Sequence, residues 1–199
     1  MEIWVATGNK GKLQEMEMIL RGLPGLALHH QGELRTFTPR PEDGKTFLEN
    51  ARIKAKTLRS VKNTNWVIGE DSGLEVEGMN GLPGIHSARY AGPKASDSEN
   101  ISKLIKMMAL KQLPNRNAKF HCAMVIYTPN GDEWIFEGDL KGQIAKIPAG
   151  NLGFGYDPVF IPEGQTKTLA ELGPGFKNQN SHRSAALRMF LAEYSRSNF

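Results

Sequence analysis

The stretch TGNKGK, from Thr7 to Lys12, carries the first residues of the chain that could do chemistry. It combines a hydroxyl, an amide, two lysines and two glycines, and it lies between an apolar run and a helical pattern. A turn that leads from a strand into a helix presents free N–H groups and the positive end of the helix dipole, which together bind phosphate or carboxylate. The stretch is not a Walker A loop, because Ala6 lies five residues before Gly11 and Leu13 follows Lys12. An ordinary turn with solvent-facing lysines is the alternative interpretation.

Carboxylates follow in two further stretches. Glu42 lies in PEDGKTFLEN, just before a predicted helix, and Glu70 and Asp71 lie in EDSG, which we expect to end a strand. Residues at the ends of helices and strands gather around clefts, where binding and catalytic groups are concentrated. Carboxylates there could hold Mg²⁺, which binds through one or two of them and leaves its other positions to water and substrate phosphates. The alternative is that these acids only cap turns.

A third stretch, FKNQNSHRSAAL, places several cations around the predicted start of a helix. Ser181 is a good N-cap residue, so His182 and Arg183 fall in the first helical turn, with Lys177 shortly before them. Cations in that position oppose the helix dipole and cost stability unless an anion binds there. A surface pair without function is the alternative for this stretch alone, but three such stretches together favour a site for phosphate and its metal ion.

Strands and helices alternate in the predicted order of elements. Four apolar or alternating runs predict strands, at residues 3–6, 66–69, 119–128 and 133–140. Four stripes with helical spacing predict helices, with their apolar faces at residues 13–20, 47–58, 101–108 and 187–194. Asn9 is the expected N-cap of the first helix, and Asn130-Gly131 predicts a tight hairpin turn between the last two strands. The order predicts an α/β fold with a mixed central sheet and flanking helices.

Length and composition set limits on the class of protein. The chain has 199 residues and a net charge of +4, with a sequence pI near 9.2, so we expect one domain, or one domain with two lobes, and only a weak attraction for polyanions. Cys122 is the single cysteine, which excludes an intrachain disulfide. The chain starts directly with a strand-like run and has no apolar stretch of membrane-spanning length, so we expect a cytoplasmic protein without a membrane partner.

Six motifs in order resemble the inosine triphosphate pyrophosphatase family of house-cleaning nucleoside triphosphate pyrophosphatases. They are TGNKGK, DGKTFLENARIKA, EDSGLEV, NGLPGIHSARYAG, LGFGYDPVF and K-x-x-x-x-HR, and the match runs from about Thr7 to Ala186. The resemblance implies that residues 1–199 form one pyrophosphatase domain with two lobes around a substrate cleft, and that the protein is a homodimer. It also implies Mg²⁺-dependent hydrolysis of inosine and xanthosine triphosphates and their deoxy forms (ITP, dITP, XTP, dXTP) to the monophosphate and pyrophosphate.

The resemblance also implies roles for individual residues. Asp71 would bind the metal and act as the base for the attacking water, with Glu42 and Glu70 as further metal carboxylates. The triphosphate would contact the opening turn, which comprises Thr7, Gly8, Asn9, Lys10, Gly11 and Lys12. The remaining nucleotide contacts would come from Ser72, Phe154, Gly155, Tyr156, Asp157, Lys177, His182 and Arg183.

Two departures from the family pattern affect this assignment. The usual DDSG is EDSG here, so Glu70 keeps the charge and moves it outward by one methylene group. Asn151 and Leu152 separate two glycines that are usually adjacent before GFGYD, which leaves the conformation of that loop open.

Two alternative functions follow from the same residues. The first keeps the phosphohydrolase chemistry but acts on other nucleotides, such as pyrimidine or ordinary purine nucleotides. The second is a nucleotide- or RNA-binding module without catalysis, which the basic pI would suit. The acidic stretches would repel a phosphate backbone unless a metal ion intervened, so we expect no stable nucleic-acid partner.

Overall fold

The structure, a computed structural model, describes residues 1–197. Within that range the chain forms six strands: β1 (Glu2–Val5), β2 (Ala27–His30), β3 (Trp66–Val76), β4 (Asn117–Tyr127), β5 (Glu133–Ile144) and β6 (Phe160–Pro162). The same range contains five α-helices: α1 (Lys10–Leu20), α2 (Phe47–Arg59), α3 (Asp97–Leu110), α4 (Leu169–Asn180) and α5 (His182–Ser197). None of these helices is long and apolar enough to cross a bilayer.

All six strands belong to one mixed sheet with the order β2-β1-β3-β4-β5-β6. Strand β1 runs parallel to both of its neighbours, β2 and β3, whereas β5 and β6 are antiparallel. Helix α1 connects β1 to β2 along the chain, and α2 lies between β2 and β3. Parallel strands require such crossover connections. The predicted α/β class with a mixed sheet is therefore confirmed.

The chain divides into two compact units. The first comprises residues 1–71, 122–138 and 183–197, and the second comprises residues 72–121 and 139–182. Each unit has its own core of buried apolar side chains. In the first unit these include Ile3, Val5, Met16, Leu20, Ile68, Leu187 and Phe190. In the second they include Leu74, Leu104, Met108, Ile144, Val159, Phe160 and Leu169. That residues 1–199 act as one functional domain stays a prediction.

Two helices of the first unit form as their sequences predict. Asn9 caps α1, and its Oδ1 accepts a hydrogen bond from the Lys12 backbone N–H at 3.0 Å. Thr46 caps α2 in the same way, through the Glu49 backbone N–H. The apolar stripe predicted for α2 is buried along its whole length, at Phe47, Ala51, Ala55 and Leu58. Apolar spacing and a capping side chain are local signals, so both helices could be predicted without knowledge of their partners.

The stretch EDSG does not end a strand, as the sequence led us to expect. Strand β3 runs through it without a break and continues to Val76. Aspartate and glycine are depleted in strands, and glutamate less so, which is why the stretch resembled a turn. Leu74 and Val76 beyond it are fully buried, and their burial keeps the chain in the sheet. Glu70 and Asp71 are therefore residues of a strand interior and not of a loop.

Three short or irregular elements were absent from the sequence prediction. Strands β2 and β6 have only four and three residues, too few to give a periodic signal. Helix α4 contains Gly173 and Pro174, which normally interrupt a helix, and Gly173 is non-helical with φ of 78°. In the hairpin turn before β5, Gly131 has the expected positive φ but Asn130 does not.

Gly69 determines how closely α2 approaches β3. A Cβ atom at this position would lie 2.2 Å from the Ala51 carbonyl oxygen and 2.5 Å from the Ala55 nitrogen. The backbone of the helix therefore packs directly on the backbone of the strand, two residues before Asp71. This contact brings the side chains on the strand-facing side of α2 within reach of the Asp71 side chain.

We expect Gly69→Ala to lower the free energy of unfolding by at least about 2 kcal/mol, because the added methyl group meets backbone atoms that cannot move aside. Urea denaturation measures the change. Gly22→Ala is the matched control, since a Cβ at Gly22 has no atom within 4 Å. Equal stability of the two variants would show that α2 and β3 can separate at little cost.

Candidate active site

The opening stretch forms the turn between β1 and α1. Gly8, Asn9 and Lys10 are exposed, and the Thr7 hydroxyl accepts a hydrogen bond from the Asn9 backbone N–H at 3.1 Å. The first backbone N–H groups of α1 point out of this turn without helical partners, as at every helix start. The turn thus has the accessibility and the donors that phosphate binding requires. Lys12 extends from the first helical turn toward β3, where its Nζ lies 2.8 Å from Glu70 Oε2.

Glu70 lies at the centre of a buried charge network in the first unit. Its side chain has no exposed surface, and it contacts both the Lys12 ammonium and the Arg183 guanidinium, the latter at 3.0 Å. The Cys122 thiol lies 3.5 Å from Oε1 and donates a weak hydrogen bond to it. Burial, reinforced by the Glu70 charge, raises the pKa of Cys122 well above its ordinary value, so the thiol stays protonated.

Arg183 is buried between two carboxylates of the first unit. Its Nη1 donates to Glu15 and its Nη2 to Glu70. Burial by itself would lower the pKa of Arg183, but the two carboxylates outweigh it and hold the pKa above its ordinary value. The sequence predicted a cation at the start of α5, with Ser181 before it, and α5 does begin at His182. It did not predict Glu15 as a partner, because an ion pair between distant helices leaves no local pattern.

Asp71 points to the opposite face of β3 from Glu70, since successive side chains alternate along a strand. There the Lys54 ammonium bridges two carboxylates, with Nζ 2.8 Å from Asp71 Oδ1 and 2.8 Å from Glu42 Oε2. Asn50, one turn before Lys54 on α2, donates to Asp71 Oδ2 at 3.3 Å. Lys54 and Asn50 were not among the predicted site residues. Their spacing of four on one helix face, within DGKTFLENARIKA, is the signal that could have indicated them.

Asp71 and Lys54 have pKa values that are both above their ordinary values. Burial raises the pKa of Asp71, although the neighbouring cations Lys54 and Lys12 act in the opposite direction. Burial would lower the pKa of Lys54, but the charges of Asp71 and Glu42 outweigh it and raise the pKa. At neutral pH Lys54 is therefore charged, and Asp71 is a stronger base than an exposed aspartate.

The oxygens around Lys54 test whether these residues fit a divalent cation. Within residues 1–197, no three His, Cys, Asp or Glu side chains converge closely enough to bind a metal ion by themselves. The positive charge of Lys54 nevertheless has three oxygens around it, from Glu42, Asp71 and the Glu70 carbonyl at 3.2 Å. Two carboxylates directed at one cation are the protein contribution that Mg²⁺ uses when phosphates and water complete its shell. The set therefore fits, with Glu42 and Asp71 but without the Glu70 side chain.

The second unit gathers three of the predicted nucleotide-contacting residues. Lys177 Nζ lies 2.6 Å from Asp157 Oδ2 and 4.0 Å from the centre of the Phe154 ring. Asp157 Oδ2 also accepts a hydrogen bond from the Phe154 backbone N–H at 2.9 Å. Lys177 and Asp157 are buried, whereas Phe154 is half-exposed. The three residues form a cluster that combines one accessible aromatic ring with two fixed charges.

The other predicted residues of this unit are placed in different surroundings. Tyr156 belongs to the hydrophobic core, and its hydroxyl donates to the Ser87 carbonyl at 2.9 Å. His182 is buried and stacks on Phe120, with ring centres 4.9 Å apart. Ser72 is half-exposed on β3. A contact of these residues with a nucleotide stays a prediction.

The mixed sheet, the exposed turn before α1 and the charge clusters describe an α/β protein with a candidate phosphate site. Comparison with known proteins identifies its family. The model of the Ham1 family matches residues 3–193, nearly the whole chain. This protein therefore belongs to the Ham1 family, which confirms the resemblance found in its motifs.

Individual relatives match over the same length. The chain is 69% identical over 191 residues to a dITP/XTP pyrophosphatase of Bdellovibrio bacteriovorus, covering 96% of both chains. It is 42% identical over 194 residues to the dITP/XTP pyrophosphatase of Bacillus licheniformis, again over 96% of both. Among solved structures, a HAM1 protein from Coxiella burnetii superposes with a TM-score of 0.88 at 36% identity, over 98% of this chain and 99% of that one.

We expect Arg183→Met to lower the free energy of unfolding by about 3–5 kcal/mol, because it leaves the buried carboxylates of Glu15 and Glu70 without their shared cation. Thermal and urea denaturation measure the loss. Arg188→Met, an exposed site on the same helix, is the control. Adding Glu70→Gln to Arg183→Met should recover part of the loss, and no recovery would show that the buried charge is not its cause.

Proposed function

We propose that this protein is a nucleoside triphosphate pyrophosphatase that hydrolyses ITP, dITP, XTP and dXTP to the monophosphate and pyrophosphate. The observation that carries the proposal is its 69% identity, over almost the whole of both chains, to a dITP/XTP pyrophosphatase. The charge clusters supply what the reaction requires, namely cations for a polyphosphate and a carboxylate that can activate water. That the protein is a homodimer stays a prediction of the family resemblance, and that it is cytoplasmic stays a prediction from its sequence composition.

The triphosphate binds to the turn that holds Thr7 to Lys12. The backbone N–H groups at the start of α1 and the side chains of Lys10 and Lys12 surround the phosphates with positive charge. Glu70 takes the role of orienting Lys12, because its buried carboxylate fixes the ammonium at 2.8 Å. This assignment replaces the metal-binding role predicted for Glu70.

Glu42 and Asp71, whose oxygens both contact the Lys54 ammonium, would hold Mg²⁺. When bound, the ion neutralises phosphate charge and makes the phosphorus more electrophilic. Asp71, held beside the metal by Asn50, accepts the proton of the attacking water. The Lys54 ammonium would contact a phosphate oxygen when the ion is bound, and Asn50 keeps the Asp71 carboxylate in its orientation.

The purine stacks on the half-exposed ring of Phe154, which Lys177 and Asp157 hold in place. Hydrogen bonds from Ser72, His182 and Arg183 to the base and sugar stay predictions of the family resemblance. Inosine and xanthosine carry a carbonyl at the purine 6-position, where adenosine carries an amino group. A pocket that donates to this position leaves buried donors unpaired when adenosine binds, at a cost of about 1–3 kcal/mol for each group.

We expect ITP and XTP to be cleaved with kcat/KM at least about tenfold higher than ATP, because the site donates hydrogen bonds to the 6-carbonyl. A panel of nucleoside triphosphates, with phosphate and pyrophosphate assayed separately, measures the preference and the cleaved bond together. Comparable kcat/KM on ATP and ITP would contradict the proposed base selection. Release of single phosphates would contradict the pyrophosphatase assignment.

We expect Asp71→Asn to reduce kcat by at least about 10²-fold on ITP, because the amide keeps the shape of the side chain but cannot accept the proton of water. Steady-state kinetics at saturating Mg²⁺ and a melting curve measure activity and folding side by side. Asp43→Asn, an exposed aspartate beside Glu42, is the control for the loss of one negative charge. A folded Asp71→Asn enzyme with parental kcat would remove Asp71 from the mechanism.

A further inference from the structure

The segment from Phe154 to Asp157 is fixed through most of its residues. The Phe154 backbone N–H donates to the Asp157 carboxylate, and that carboxylate also binds Lys177. Tyr156 is buried in the core of the second unit and donates its hydroxyl to the Ser87 carbonyl. These contacts lie on either side of Gly155, which has no side chain and adopts a left-handed conformation with φ of 62°. Glycine is the residue at which such a segment bends most easily.

A carboxylate from another element holds Gly155. Its backbone N–H donates to Asp97 Oδ2 at 2.6 Å, a short and charge-assisted hydrogen bond. Asp97 is the first residue of α3, and a capping box between Ser96 and Glu99 fixes the start of that helix. Asn100 then anchors the same turn, since it accepts from the Ala91 backbone N–H at 2.7 Å. The acceptor for Gly155 is therefore held in place before any ligand binds.

We propose that Asp97 is a positioning residue that sets the direction of the Phe154 ring for stacking on the purine. The Gly155 N–H belongs to the planar peptide unit that also contains the Phe154 carbonyl carbon. A hydrogen bond that fixes this plane also fixes the backbone torsion of Phe154 and so the direction in which its side chain leaves the chain. The inference rests on the proposed function, in which Phe154 contacts the base.

The charge of Asp97 alone would also favour the start of α3, through the helix dipole. The two roles can be separated by substitution. Asp97→Asn removes the charge but keeps an oxygen that can accept from Gly155. Asp97→Ala removes the acceptor, and Asp97→Ser moves it one bond back toward the helix, away from the Gly155 N–H. If Asp97 has a positioning role, the KM for ITP of Asp97→Asn should be close to that of the parent. The KM values of Asp97→Ala and Asp97→Ser should be raised to a similar extent.

Steady-state kinetics on ITP, with inorganic tripolyphosphate as a competitive inhibitor that lacks a base, tests the proposal. We expect Asp97→Ala and Asp97→Ser to raise the KM for ITP about three- to tenfold, the equivalent of one lost hydrogen bond, with kcat within about twofold of the parent. The inhibition constant of tripolyphosphate should not change, because the phosphates bind elsewhere in the chain. Asp97→Asn should restore most of the affinity for ITP, and Ser98→Ala, in the same helical turn, should match the parent.

Three results would overturn the proposal. A parental KM for ITP in both short variants would show that Phe154 needs no support from Asp97. An equal loss of tripolyphosphate binding, or a loss in Asp97→Asn as large as in Asp97→Ala, would indicate a general effect of the helix charge. A parent enzyme with no preference for ITP over ATP would contradict the proposed function instead, so the two failures are distinguishable. Melting temperatures confirm that each variant is folded.

Discussion

The buried charge of Glu70 is the constraint on which the first unit's site depends. A carboxylate removed from water is strongly destabilising unless cations compensate it, and Glu70 meets this requirement with Lys12 from α1 and Arg183 from α5. Arg183 is itself buried, and Glu70 already pairs with Lys12. Glu15 therefore supplies a second carboxylate for the guanidinium. One strand and two helices are thereby joined by a chain of alternating charges, and the exposed turn from Thr7 to Lys12 lies at one end of it.

The strand period divides the neighbouring acids between two tasks. Glu70 and Asp71 are adjacent in the chain, so they project to opposite faces of β3 and join separate networks. Glu70 organises lysine and arginine, while Asp71 with Glu42 surrounds a cation on the other face. The extra methylene of Glu70 relative to the usual aspartate lies within the network that reaches Lys12 and Arg183, on the opposite face of β3 from Asp71.

Local signals made part of this structure predictable. The N-cap at Asn9 and the buried stripe of α2 follow from side-chain chemistry and spacing, and both are present as predicted. The path of β3 through EDSG could not be predicted in the same way, because the burial of Leu74 in the second unit overrides the weak strand preference of the stretch. Helix α4 was missed because Gly173 and Pro174, which usually end a helix, lie within it.

The site was predictable to a similar degree. Residues that the family motifs contain, such as Lys12 and Asp71, could be named from the sequence, and the structure shows the charges they meet. Glu15 and Asp97 could not, because their significance comes from partners that are distant along the chain. Compensation of a buried charge and capture of a loop amide are tertiary events, and they leave no periodicity in the sequence.

The close packing of α2 on β3 at Gly69 has a consequence for the precision of the site. Main-chain atoms form this contact, and main-chain atoms have no rotamers to exchange. The distance between the two backbones that carry Lys54 and Asp71 is therefore insensitive to repacking of side chains elsewhere in the core. Thermal fluctuation in the separation of the two charges arises chiefly from their own side-chain torsions, so the acid and its cation are held in register by the backbone itself.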